Sequence, residues 1–280
     1  MKDVTTEIIR SGVYSDTNET AFNYLKEVAF GFETGSASEV IRKWMDDVYI
    51  KVHACNSSGV TTDINADDYA EIVSIVSELN SLIDTINITL LNTSVTDICE
   101  DETHAGYGGG ACYKSGYPQP NINFWITTRS RWETISGLDA SGLGGQFTVN
   151  YGSTTGHMTA ARLWVNSGES TNRNSFIREE LTQAFGLGKD SESYEDSIFY
   201  ETEGDGGFAT AYSDLDKQII QMLYDPRLKP MMTKEQAEEA LKKPAINIAG
   251  RSWSFAGNPD SQTRVSYDKL DSRMSSSNFR

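Results

Sequence analysis

The chain has 280 residues, 38% hydrophobic and 23% charged, a balance that suits a soluble globular protein and excludes a disordered one. Its formal charge of −16 excludes a nucleic-acid groove built on a basic face. No apolar run approaches the roughly 18 residues needed to cross a membrane, so no membrane span is predicted.

The opening "MKDVTTEIIRSGVYSD" has no apolar stretch and no small-residue cleavage site, so it does not read as a secretory signal peptide. "TAFNYLKEVAFGF" spaces Phe22, Leu25, Val28, Ala29 and Phe32 as one face of a helix. "ASEVIRKWMDDVYIKVHAC" predicts a short helical turn followed by a strand over "DVYIKVHAC". "ADDYAEIVSIVSELNSLIDTI" carries the clearest helical stripe, with Asn65 as its N-cap. "NITLLNTS" reads as a strand, and residues 100–120 as a long Gly-, Tyr- and Pro-rich loop.

"NINFWITTRSRWETI" reads as another strand, and Trp125, Trp132 and Trp164 as core. Residues 136–156 are rich in Gly and Ser, with "GQFTVNYG" as a short strand among them. "HMTAARLWVNS" is strand-like, and "GESTNRN" turns into the helix "FIREELTQAFGLGKDSES". "AYSDLDKQIIQMLYDP" is a helix capped by Ser213 and stopped at Pro226. "TKEQAEEALKK" is a short, exposed, charged helix ended by Pro244. The expected organisation is one α+β domain over residues 1–232. An appendage over 233–280 holds the short helix, a strand-like segment and a polar tail.

Three cysteines cannot all pair within one chain. Cys99 and Cys112 flank a Gly-rich stretch, which leaves a disulfide loop and two free thiols both open. No CxxC pair is present, which argues against a zinc ribbon.

The stretch that carries the functional argument is "EELTQAFGLGKDS". It resembles, in frame, the H-E-x-x-H-x-x-G-x-x-H helix of the metzincin branch of the zincin metallopeptidases. Glu179, Gln183 and Lys189 fall on the three metal-ligand positions, Glu180 on the general-base position and Gly186 on the turn glycine. Asp190 trails the motif, and "SIFY", Ser197 to Tyr200, resembles a Met-turn with Phe199 in place of Met. The resemblance places "HMTAARLWV" at the sheet edge and "SDLDKQIIQMLYDP" as the helix after the turn. More widely, "VIRKWMDDVYI", "REELTQAFGL", "SIF" and "LYDPRLKP" resemble a family of uncharacterised bacterial zincin-like proteins, over roughly residues 20–232.

The resemblance implies a zincin-like mixed sheet with an active-site-type helix, a Met-turn-like segment and a C-terminal helix. The residues depart from its chemistry. Zinc takes His, Cys or carboxylate; a protonated Lys does not ligate, and an amide is a poor ligand. No metal and no cofactor are therefore expected, and a Glu179–Lys189 ion pair bridged by Gln183 is expected in the metal's place. A relocated site from Glu179, Glu180 and His157 is the metal-bearing alternative. Arg178, Asp190 and Tyr200 are candidate cleft residues. Glu179 and Glu180 diverge by about 100° around the helix, a poor geometry for glycoside hydrolysis.

The expected function is a catalytically degenerate metzincin-like domain serving as a structural or binding component of a larger assembly, such as a phage virion. Its partners are proteins, engaged through residues 245–280, in an oligomer or larger complex. One alternative is a hydrolase of altered chemistry that uses Glu180. Another is a bacterial cell-envelope binding protein with Cys99 and Cys112 oxidised. Virion or cytoplasm is favoured over the envelope.

Overall fold

Five strands form one mixed sheet: β1 (Val48–Ala54), β2 (Ile88–Leu90), β3 (Ile122–Thr127), β4 (Gly145–Tyr151) and β5 (Met158–Asn166), in the order β2-β1-β3-β5-β4. β1 runs parallel to β2 and to β3, and β3 parallel to β5; β4 alone pairs antiparallel, with β5. The computed structural model describes residues 16–32, 38–54, 64–92, 118–169, 171–202, 205–206 and 208–243. All of them belong to one unit of the chain, Met1–Ala245. The 245–280 segment, His104, Cys55 and the Cys99–Cys112 pair lie outside the described residues.

Alternation along each strand sets the two faces of the sheet. Val48, Ile50, Val52, Ile122, Phe124, Ile126, Ala161, Leu163 and Val165 are all buried in the main core. Helices cover that face: α1 (Asp16–Val28), α2 (Ala66–Leu82), α4 (Arg173–Gln183) and α5 (Asp214–Leu223). Between α2 and α4 in sequence lies α3 (Arg129–Ser136); a hairpin of two-residue strands, β6 (Glu201–Thr202) and β7 (Asp205–Gly206), precedes α5, and α6 (Lys234–Lys242) follows it. α6 is charged along most of its length, yet Ala237 and Leu241 are buried in the main core.

The opposite face carries a row of parallel rings. His53, Trp125 and Trp164 are neighbours across β1, β3 and β5, and Trp132 of α3 continues the row. Ring centroids are 4.8, 5.6 and 6.4 Å apart in turn, with interplanar angles of 16°, 12° and 5°. Offset stacking of this kind adds about 0.5–1.5 kcal/mol per pair beyond the burial itself.

Three local expectations need correction. "NINFWITTRSRWETI" is not one strand: β3 ends at Thr127, and the segment from Arg129 turns helical to carry Trp132 onto the stack. The segment before β1 is not a helical turn. It is extended, bridging Phe30 to Ile41 and Lys43 to His157. "HMTAARLWV" does not lie at the edge. β5 sits between β3 and β4, and its apolar residues are buried on both faces for that reason.

Candidate functional site

α4 is polar for a buried helix, and its Arg178, Thr182 and Gln183 side chains find partners on neighbouring segments. The Arg178 guanidinium, 3% exposed, pairs with Glu71 at 2.7 Å and Glu78 at 3.1 Å on α2. It also lies over the Tyr212 ring, 4.7 Å from its centroid. Thr182 donates to the Arg178 carbonyl at 2.6 Å and meets the Tyr212 hydroxyl at 2.7 Å. Burial, against that hydrogen bond, raises the Tyr212 phenol above its usual range. Arg178 thus faces α2 and Tyr212 from within the structure.

Glu180 is 7% exposed and rests against the start of β4. A Cβ added at Gly145 would meet Glu180 Oε1 at 2.5 Å, and one at Gly144 would meet the Phe176 ring at 2.3 Å. Phe176 and Glu180 are four residues apart and share a helix face, so the Gly-Gly pair is what lets α4 approach β4. Glu179 is half-buried on the same helix.

After α4 the chain turns at Gly186, whose φ of 101° favours glycine and whose added Cβ would lie 2.2 Å from the Arg42 carbonyl oxygen. The turn brings the remaining motif residues round, but not to each other as expected. Gln183 donates through Nε2 to Asp190 Oδ1 at 2.7 Å. Lys189 Nζ reaches Glu39 at 3.6 Å, a carboxylate that also holds Lys234 at 2.9 Å. The expected Glu179–Lys189 bridge is therefore replaced by two separate pairs, because the Lys189 side chain runs past Gly31 toward the segment before β1. Nearby, the buried Arg42 guanidinium lies over Tyr151 of β4, 4.3 Å from its centroid, and donates to Ser38.

The "SIFY" segment is fixed from below. Ser197 Oγ donates to Asp216 Oδ1 at 2.6 Å, meets the Tyr24 hydroxyl at 2.5 Å and accepts the Phe199 N–H at 3.0 Å. Asp216 also accepts from Ile198 and, in the capping box of α5, from the Ser213 N–H. Burial raises Asp216 above the usual carboxylate range, against the pull of its hydrogen bond from Ser197, and burial likewise raises Tyr24. Phe199 is fully buried in the core, and Tyr200 is half-buried beside a bridge to Ser191.

The metal a zincin helix would hold does not fit these residues. Among the described residues no group of three or more His, Cys, Asp or Glu is placed to hold a metal ion. His157 is exposed in the β4–β5 turn and His53 is stacked on Trp125, so the relocated site with His157 is not assembled. Sequence reasoning missed Glu39, Lys234, Tyr24 and the Gly144-Gly145 pair. Only Ser213 and Asp216, at capping-box spacing, carry a local signal; the others are distant in sequence from what they touch.

The fold and this helix define an α+β domain with a mixed sheet and a polar, largely buried helix beside its antiparallel edge. The chain belongs to the family described as "Protein of unknown function (DUF2927)", whose model matches residues 18–243. No curated protein matches it. Among solved structures it is similar to one described as "GM1 bound form of the ECX AB5 holotoxin". That likeness has 9% identity and a TM-score of 0.36, over 76% of this chain and 92% of the other, and is too distant to argue from.

Proposed function

We propose that this domain keeps the frame of a metzincin peptidase without its chemistry, and that it serves as a structural or binding component of a larger assembly. The observation that supports this reading is the fate of the ligand-equivalent residues. Gln183 is engaged by Asp190, and Lys189 by Glu39. Glu180, at the base-equivalent position, is buried against Gly145. A general base works on a proton within hydrogen-bond reach, which a side chain packed under a strand does not offer to a substrate.

Metal analysis of the full-length protein, after equilibration with zinc and desalting, tests the reading. The expected result is no stoichiometric zinc, together with peptidase activity on a denatured protein substrate indistinguishable between parent and Glu180→Gln. One zinc per chain, lost in Glu179→Ala, would overturn it.

A further inference from the structure

We infer that Arg42 anchors a binding site for a small ligand that carries a carboxylate on an aromatic or other apolar body. Arg42 is 4% exposed, about as buried as Arg178. Arg178 faces two carboxylates, Glu71 and Glu78. Among the described residues Arg42 pairs with none. Its Nη1 donates to the carbonyls of Ser38 at 2.9 Å and Val40 at 3.3 Å, and its Nη2 to the Ser38 hydroxyl at 3.0 Å. These bonds use three of the five guanidinium N–H groups. The two that remain are the Nε–H, which is buried without an acceptor, and the Nη2–H beside it. They point the same way, side by side, and form the fork that takes both oxygens of a carboxylate. A buried charge is ordinarily paired, and here the pairing group is the ligand's.

The surroundings select that ligand. The chain carries −16, yet Glu39, close to Arg42 in sequence, is already shared by Lys189 at 3.6 Å and Lys234 at 2.9 Å. The neighbourhood thus keeps an excess of positive charge, which draws an anion toward it. Two parallel donors on a single cation suit a planar monoanion better than a phosphate. The apolar body has its place too. The guanidinium lies 4.3 Å from the Tyr151 ring centroid and 5.6 Å from that of Phe32, and Phe32 meets Phe147 edge-on at 6.1 Å. All three rings are half-buried. Gly188 leaves them room, since an added Cβ would stand 2.2 Å from Phe32 Cδ1. The register shift between Asn150 and Tyr151 is the kind of irregularity that re-aims a side chain beside a site. The anchor's backbone is held as well: the Ile41 N–H donates to the Met232 carbonyl at 3.0 Å, and the Met231 N–H to the Ile41 carbonyl at 2.9 Å. Ser38 is exposed, so the guanidinium lies just beneath the surface. The ligand reaches the fork as the Phe32 ring, the farther of the two, turns aside.

Nuclear magnetic resonance on the full-length protein, with benzoate as the probe, tests the inference. Benzoate should move the Arg42 Nε–H signal saturably. It should leave that of Arg178, which donates to Glu71 at 2.9 Å, in place. Benzamide, which lacks the charge, should move neither. Arg42→Lys keeps the charge and loses the fork, so benzoate affinity should fall about tenfold or more, the worth of one charge-assisted hydrogen bond. Phe32→Ala uncovers the fork and should bind benzoate at least as tightly as the parent. Signal dispersion reports the fold of each variant, and the parent titration stands without them. An Arg42 signal unmoved by benzoate, equal affinity in Arg42→Lys, or inorganic phosphate bound more tightly than benzoate overturns the inference. None of these results bears on the zinc and peptidase measurements.

Discussion

Gln183 donates its side-chain amide to Asp190 Oδ1 at 2.7 Å, across the turn that Gly186 makes at the end of α4. The helix residue at a ligand-equivalent position is thus satisfied by the loop that follows its own helix. Gln183 is 3% exposed, so its amide has little access to water as a substitute. Asp190→Ala should therefore cost about 1–3 kcal/mol, the penalty of a buried donor left without its acceptor. Gln183→Leu removes the donor itself and should restore much of that loss in the Asp190→Ala background. Urea unfolding of the two single variants and the double variant gives the coupling. Additive effects would show that the contact does not hold the loop.

Arg178 joins α4 to α2 and is the most exacting ion pair of the site. Arg178→Met fills similar volume but leaves Glu71 and Glu78 facing an apolar side chain. Removing one partner of a buried pair costs about 3–5 kcal/mol. Glu78 is 35% exposed and can turn to water, so a loss of about 2–4 kcal/mol is expected here. The loss should shrink when Glu71→Gln is added. A variant as stable as its parent would show that the pair contributes nothing net.

The sequence shows periodic elements well and long-range partners poorly. The α2 stripe and its Asn65 cap, and α5 with its Ser213 cap, lie where local pattern places them, since both signals act within a few residues. α3 was hidden because "TRSRWETI" holds no apolar stripe. Its helix is fixed by Trp132 stacking on Trp164, a contact no local pattern encodes. The resemblance puts β5 at the edge, whereas β4 pairs with its outer side, a partner that the β5 sequence does not announce. At the site, the resemblance puts Lys189 near Glu179. Its actual partner, Glu39, sits in a segment distant in sequence, where spacing has no reach.

Gly145 has room for no side chain on its α4 side, since an added Cβ would stand 2.5 Å from Glu180 Oε1 and 2.6 Å from its Cγ. Gly145→Ala should destabilise by about 1–3 kcal/mol through overpacking. Glu180→Ala clears that space, so the two substitutions together should cost less than their sum. A double-mutant cycle measured by thermal unfolding gives the sign. An interaction of zero would mean that β4 shifts freely away from α4.

Lys43 provides a pH signature. Its ammonium is buried, donates to the Leu223 carbonyl at 2.8 Å and lies 5.4 Å from the Tyr224 ring centroid. Burial, aided by the nearby Lys229 and opposed by Asp225, lowers its pKa from 10.5 to about 7. Below pH about 7 both folded and unfolded chains hold the proton, and this group contributes no slope. Between about 7 and 10.5 the unfolded chain holds a proton that the folded one has released, so stability rises with pH. The rise is at most about 1.4 kcal/mol per pH unit for one group. Above about pH 10 the buried Tyr24, Tyr212 and Tyr224 act in the opposite sense. Their folded forms keep protons that the unfolded chain gives up. Lys43→Met loses the hydrogen bond at every pH but removes the titration. The stability difference between parent and variant should thus be flat below pH about 7 and change steadily from 7 to 9 in the parent's favour. Parallel profiles from urea unfolding at each pH would show that the amine stays protonated in its buried place.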